Sequence, residues 1–314
     1  MNILVTGGCG YTGTILIQAL LSQGHKVKVV DNQWFGNHLK KHPNLKLYKQ
    51  DIRSVKENIF KNIRTVVHLA NIPNDPSVEL NQSLSWEVNV LATKKILEFS
   101  IKNKVKQFIY ASSGSVYGIK KEKKVTEDLT PVPISIYNKT KMVAERVLQS
   151  YQDKIKIHSI RPATVCGYSP RMRLDISVNM FVYQALIKKK LIVFGGKQIR
   201  PNINIKDLTD VYIHFIKKPN LPSGNYNAGF ENLKILDVAK LVKKYVPVKI
   251  YIKKNINDPR SYRQNSDKLL NTGFKPRFSV EDAIIEIIER YKKNKLNIND
   301  KCHTVKWMKK KNFN

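Results

Sequence analysis

Tyr137 and Lys141 stand at i and i+4 in Tyr137-Asn138-Lys139-Thr140-Lys141. On a helix those positions share one face, so the phenol and the ammonium project toward a common point. An ammonium beside a phenol favours the phenolate, and that makes the tyrosine oxygen a usable base near neutral pH. The pair alone is common on exposed helices. Here it follows a segment, residues 105–111, that reads as a buried strand and ends in Ser112-Ser113. In open parallel sheets, ligands sit beyond the carboxyl ends of the strands. Ser113 is therefore placed where a substrate-facing hydroxyl should be.

A second chemical signal opens the chain. Asn2-Ile3-Leu4-Val5 reads as a short buried strand that runs into Thr6-Gly7-Gly8-Cys9-Gly10-Tyr11-Thr12-Gly13, and residues 15–21 have helical spacing. Strand, glycine turn and helix start together make a phosphate site, because the first helical N–H groups are unpaired and the helix dipole favours an anion. Gly7 would permit the turn, Gly10 close approach of a pyrophosphate, and Gly13 close packing of helix on strand. A second strand, Lys26-Val27-Lys28-Val29-Val30, ends in Asp31. A carboxylate there can bond both ribose hydroxyls of an adenosine and would repel a 2′-phosphate, which favours NAD over NADP.

Composition narrows the classes. The chain has 314 residues, 42% of them hydrophobic, enough for one large domain or two smaller ones. No run approaches the ~18 apolar residues of a membrane span. The first apolar strand meets glycines at once and carries no basic leader, unlike a signal peptide. Cys9, Cys166 and Cys302 are scattered and odd in number, which suggests neither a disulfide framework nor a metal site. A reducing, cytoplasmic setting is expected. The net charge of +32 ordinarily points to nucleic acid or an anionic surface. However, it comes from 45 lysines spread along the chain, with only 11 arginines and no single basic stripe. Dispersed lysine is a solvated surface, and neither nucleic acid nor membrane is expected as a partner.

These sites need a scaffold. Strand and helix patterns alternate through the first half, with strands near residues 45–48, 65–70, 105–111 and 155–161, and helices over 83–103 and from 137. That alternation predicts an α/β fold, a Rossmann-type doubly wound parallel sheet, with a smaller C-terminal α/β substrate domain. Residues 1–166 are expected to form the NAD-binding part, with a return segment near 200–230. Residues 167–295 would bind substrate in the main. Residues 296–314 read as a basic, loosely held tail whose one large apolar anchor is Trp307.

Taken together, TGGxGxxG, Asp31, Asp51-Ile52, His68-Leu69-Ala70, Asn89, SSxxVYG, YxxxK and Arg161-Pro162 resemble the extended short-chain dehydrogenase/reductase family, in particular its NAD-dependent sugar epimerase/dehydratase branch. The resemblance runs from residue 1 to about 292. It implies a substrate-bonding hydroxyl at Ser113, a catalytic base at Tyr137, and at Lys141 a lysine that also bonds the nicotinamide ribose. It implies cofactor contacts at Gly7, Gly10, Tyr11, Thr12, Gly13, Asp31, Asn32, Asp51, Ile52, Leu69, Ala70 and Asn89. His68 reads as a core residue at a strand end.

Two further expectations rest on that resemblance. The family's 4,6-dehydratases carry an acidic pair after the substrate-bonding hydroxyl, and here those positions are Gly114 and Ser115, so elimination is disfavoured. Six of the 11 arginines lie between 161 and 263. Guanidinium matches phosphate bidentately, and the family's nucleotide-sugar binders imply Arg200 and Arg260 for a substrate diphosphate. Arg171, Arg173 and Asn179 are expected on the sugar side. The function expected is a nucleotide-sugar epimerase that oxidises a sugar hydroxyl transiently with NAD. A one-way dehydrogenase or 4-keto reductase is the alternative, and a non-catalytic NAD-binding scaffold is the reading from another class. A homodimer is left open.

Overall fold

The computed structural model describes residues 1–253 and 261–312. Twelve strands follow in chain order: β1 Asn2–Thr6, β2 Lys26–Asp31, β3 Leu45–Lys49, β4 Thr65–His68, β5 Gln107–Ala111, β6 Lys156–Pro162, β7 Thr164–Cys166, β8 Lys190–Phe194, β9 Ile199–Asn204, β10 Gly224–Ala228, β11 Glu231–Lys234 and β12 Lys249–Lys253. Seven of them form one sheet in the order β10-β6-β5-β4-β1-β2-β3, every neighbour parallel.

Parallel sheets need cover on both faces, and this one has it. Side chains alternate across a strand. On β1, Ile3 and Val5 join a core with Leu16, Ile17 and Leu20 of the helix Tyr11–Ser22 and with Val211 and Phe215 of the helix Ile205–Lys217. Leu4 faces the other way, into a core with Ile96 and Leu97 of the helix Ala92–Lys102 and with Ala144 and Leu148 of the helix Ile136–Gln149. Full burial of each such side chain is worth about 1.5–3 kcal/mol. The strand order reverses at β1, whose neighbours are β2 and β4. The cleft beyond the carboxyl ends of the strands at that reversal is where ligands bind in such sheets.

A second group of elements stands beside this layer. β7 pairs in parallel with β9, β11 pairs antiparallel with β9, and β12 pairs in parallel with β8. Their core includes Val178 and Phe181 of the helix Ser177–Tyr183, Val238 and Val242 of the helix Ile235–Tyr245, and Ile284 and Ile287 of the helix Val280–Lys292. No helix among the described residues is long and apolar enough to cross a membrane.

The last segment departs from the sequence expectation. It is not loose: a helix spans Thr304–Lys311, Cys302 and Met308 are buried, and the Trp307 indole donates to the Trp34 carbonyl at 2.7 Å. Trp307 is expected as the sole anchor, whereas Met308 and Cys302 bury in two different cores.

Candidate active site

The glycine turn after β1 is a cradle that side chains would fill. Gly7 has φ +71°, and a Cβ there would lie 2.6 Å from the Ala70 nitrogen. A Cβ on Gly13 would lie 2.5 Å from the Gly7 oxygen. Gly10 caps the helix Tyr11–Ser22, which has neither a side-chain cap nor an acidic residue in its first turn. Its opening N–H groups are thus left for an anion. At the end of β2, Asp31 accepts from the backbone N–H of Cys9 at 2.9 Å and of Gln33 at 2.6 Å. Burial pushes its carboxyl upward, and these two N–H groups with Arg171 oppose that.

A cavity of about 380 Å³ runs from this cradle to the ends of β4, β5 and β6. Its wall includes Gly7, Gly10, Tyr11, Thr12, Gly13, Asp31, Asn32, Asp51, Ile52, Leu69 and Ala70. Ser113, Tyr137 and Lys141 also line it. These residues fit a dinucleotide: an uncapped helix start for the diphosphate, a carboxylate at the ribose position, and a cradle closed to any side chain.

At the far end, the helix Ile136–Gln149 delivers Tyr137 and Lys141 from one face. Ser135 caps it by accepting from the Asn138 N–H at 3.2 Å. Lys141 is 1% exposed, donates from Nζ to the Ala111 carbonyl at 2.8 Å, and stands 4.9 Å from the Tyr110 ring and 5.9 Å from the Tyr137 ring. Burial drives both groups toward their neutral forms. The Tyr137 phenol is pushed up to about 12, a hydrogen bond with Ser113 opposing and Asp75 adding to the shift. The Lys141 ammonium is brought down to about 7 by burial, with Glu145 opposing. Burial is the largest influence on both groups here, and Lys141 keeps two N–H groups beyond the one given to Ala111.

Ser113 ends the β5 extension in an extended conformation and caps the turn Gly114–Tyr117. Its Oγ lies 2.7 Å from the Ser115 Oγ and accepts from the Ser115 N–H at 3.2 Å. Position 114 is tightly packed: a Cβ there would lie 2.9 Å from the Gln264 Oε1 and 3.2 Å from the Pro162 carbonyl. Gln264 is buried and donates to the Arg161 carbonyl at 2.7 Å. An acidic side chain at 114 would have to displace this pair, so the absence of a carboxylate there is built into the packing.

Several expected site residues are elsewhere. Asn89 does not line the cavity. It lies in a π-helical turn, Glu87–Leu91, accepts from the Ile72 N–H at 2.8 Å, and donates to the Ile72 carbonyl and the Thr140 hydroxyl. It shapes the loop behind the wall. Asn179, expected on the sugar side, is wholly buried, accepting from the Gly167 N–H at 3.0 Å and donating to the Tyr11 hydroxyl at 3.0 Å and the Arg173 carbonyl at 2.9 Å. Arg200 sits on β9 opposite Leu233, outside the cavity wall, and Arg260 lies outside the described residues. Arg171 and Arg173 do line the cavity. His68 is a core residue: its ring bonds Thr6 at 2.6 Å and Thr93 at 2.9 Å, and burial brings it down to about 3.

The sequence reading missed Trp34 and Phe35 beyond Asp31, the loop Asn71-Ile72-Pro73-Asn74-Asp75 beyond β4, and Tyr212 and Tyr262, all on the cavity wall. The loop was findable, since it follows the carboxyl end of a central strand. Tyr212 and Tyr262 reach the site only through tertiary folding.

Comparison with known proteins identifies the architecture. The profile of the NAD dependent epimerase/dehydratase family matches residues 3–229. The chain belongs to that family. Among relatives, an uncharacterized UDP-glucose epimerase YtcB of Bacillus subtilis (strain 168) is 30% identical over 258 residues, covering 77% of this chain and 81% of that protein. A UDP-glucose 4-epimerase of Lactobacillus helveticus is 27% identical, covering 94% of this chain and 98% of its own. The structure of a UDP-glucuronic acid 4-epimerase from Bacillus cereus, in complex with UDP-glucuronic acid and NAD, superposes with a TM-score of 0.83 at 27% identity, covering 94% of this chain and 100% of that one. Like other members, this epimerase/dehydratase-family chain is an NAD-dependent enzyme.

The Asp31 carboxylate carries a direct expectation. Asp31→Asn keeps the length of the side chain and one acceptor oxygen but removes the charge. It should narrow the preference for NAD over NADP by about 10–100-fold, the worth of a hydrogen bond to a charged group. Titration of both dinucleotides checks this, and an unchanged ratio would remove the role given to Asp31.

Proposed function

We propose that this enzyme is a nucleotide-sugar epimerase, with a uridine diphosphate sugar as its substrate class. One observation carries the reading. Ser113, Tyr137 and Lys141 line one end of a cavity whose other end is the glycine cradle and Asp31, while the positions that would supply an eliminating acid and base hold Gly114 and Ser115. The relatives act on UDP sugars by their names, and this supports the uridine diphosphate class.

The chain's own groups divide the work. The Ser113 hydroxyl holds the reacting sugar hydroxyl close to the Tyr137 oxygen, both side chains lining the same end of the cavity. Tyr137, as phenolate, takes the proton of that hydroxyl, and Lys141 steadies the phenolate charge from the same helix face. Bound NAD supplies the oxidising and then the reducing equivalents of the cycle. The ketone turns over within the cavity, and Tyr137 returns the proton when the opposite face is reduced. Positions 114 and 115 hold no carboxylate, so the acid and base that the family's 4,6-dehydratases use for elimination are missing from those positions.

Epimerisation has no net redox change. UDP-glucose and UDP-glucuronic acid, each mixed with the purified chain and catalytic NAD, should give an epimer from at least one of them without lasting reduced-nicotinamide absorbance. Stoichiometric accumulation of reduced cofactor would establish a dehydrogenase instead, and release of carbon dioxide a decarboxylase.

A further inference from the structure

Arg171 lines the cavity, is 3% exposed, and has no carboxylate in ion-pair range among the described residues. Its neighbour Arg173 is different: that guanidinium pairs with Asp175 at 3.0 Å. The carboxylate whose charge reaches Arg171, Asp175, is already paired with Arg173, and a buried guanidinium left so is costly unless an anion in the cavity offsets it. The Arg171 guanidinium lies 4.0 Å from the centroid of the Phe35 ring and donates to the Met172 carbonyl at 3.3 Å and to the Thr304 Oγ1 at 3.2 Å. These bonds use two of its five N–H groups, and Nε has no hydrogen-bond partner among the described residues.

Two anions could meet an arginine in this cavity, the diphosphate of the cofactor and that of the substrate. The packing separates them. Phe35 follows Asp31 at the adenosine end, and the charge of Arg171 is felt by Asp31 and His38. Tyr137, at the other end, feels Arg173 instead. Arg171 therefore belongs to the cofactor's side.

What holds Arg171 there is the segment that the sequence reads as a loose tail. Its Thr304 accepts from Arg171, the Thr304 N–H donates to Asp175 at 2.9 Å, and the Leu174 N–H donates to the Cys302 carbonyl at 2.8 Å. Three residues on, Trp307 donates to the Trp34 carbonyl, and Met308 is buried in the core beside Trp34 and Phe35. The segment thus ties residues 171–175 to residues 34–35 at the cofactor's end of the cavity.

We propose that Arg171, held between Phe35 and Thr304, binds the diphosphate of NAD, and that residues 299–312 act through it and through Trp34 to slow cofactor release. The inference rests on the NAD reading and gives it a consequence. An epimerase must keep its reduced cofactor until the ketone is reduced again, so slow release is part of the catalytic cycle.

Calorimetric titration of the full chain with NAD, ADP, adenosine and UDP tests the assignment. Arg171→Gln should weaken NAD and ADP by about 10–100-fold, as for loss of a charged hydrogen bond, and leave adenosine and UDP unchanged. Equal loss for adenosine and ADP would overturn the proposal in favour of a structural role. A loss confined to UDP would move Arg171 to the substrate's diphosphate. Thr304→Val and Trp307→Phe test the segment without removing the charge: each should speed NAD release several-fold, with a fall in the unfolding midpoint no larger than one lost hydrogen bond explains. If Arg171→Gln fails to fold, these two variants decide, and unchanged release in both overturns the proposal. A wild-type chain that bound neither NAD nor ADP would overturn the cofactor reading itself.

Discussion

Tyr137→Phe is expected to lower kcat by about a thousandfold, within the 10²–10⁴ that a positioned acid/base group supplies. The variant deletes one oxygen and keeps the ring, which packs against the core of the helix-covered face together with Ile136. Folding and NAD affinity should therefore stay near wild type. KM for the nucleotide sugar should change little, because the oxygen works on the proton in flight rather than on ground-state binding. The phenol is itself pushed up to about 12 by burial, so its deletion removes a group whose deprotonated form the site must favour during turnover. Lys141→Met supplies the contrast. Lys141 lines the cavity beside Tyr137, and the family resemblance gives it the nicotinamide ribose as well, so this variant should lose turnover and NAD affinity together. Steady-state kinetics with NAD titration separate the two. Near-normal kcat in Tyr137→Phe would end the mechanism, whatever the comparisons with relatives say.

The legible part of this protein is the part whose chemistry is local in the chain. Gly7, Gly10 and Gly13 lie within one turn, and the contacts that exclude a Cβ involve Gly7, Gly8 and Ala70 at the ends of adjacent strands. Asp31 follows directly from the end of β2. Ser113, Tyr137 and Lys141 were readable because a strand end and one helix face suffice to place them. The illegible part depends on distant partners. Asn179 is a polar residue before hydrophobic neighbours, which in sequence resembles a ligand-facing position. In the structure its donors and acceptor are spent on Tyr11, 168 positions away, and on Gly167. Trp307 bonds Trp34 across 273 positions, and nothing near Trp307 in the chain announces that contact. The same limit explains the phenol. The i and i+4 spacing is local, whereas the burial that raises the phenol exists only once the fold has closed around it.

Arg161→Met is expected to cost about 3–5 kcal/mol of stability, the effect of leaving one partner of a buried ion pair alone. Arg161 and Glu145 are each 2% exposed in the side chain. The guanidinium donates from Nε and Nη2 to the two Glu145 oxygens at 2.9 and 2.7 Å, and from Nη1 to the Tyr117 hydroxyl at 2.7 Å, which in turn donates to Asn227 at 2.8 Å. Glu145 also accepts from the Ser112 hydroxyl at 2.5 Å. The pair thus fastens three things: the helix that carries Tyr137 and Lys141, the end of β5 just before Ser113, and β6 with its neighbour β10. Burial lowers the Arg161 value, but Glu145 more than offsets it and the guanidinium ends above its ordinary range. Methionine fills much of the volume but leaves the carboxylate without its bidentate partner. Urea denaturation should show the loss. The double variant Arg161→Met with Glu145→Met should recover most of it, since two apolar side chains can replace a buried pair at little cost. Activity should not return with it, because Ser112 would then lack the acceptor that fixes the strand end before Ser113. A double variant as unstable as Arg161→Met would show that the loss comes from packing around Tyr117, and a fully active one would show that Ser113 is held in place without this pair.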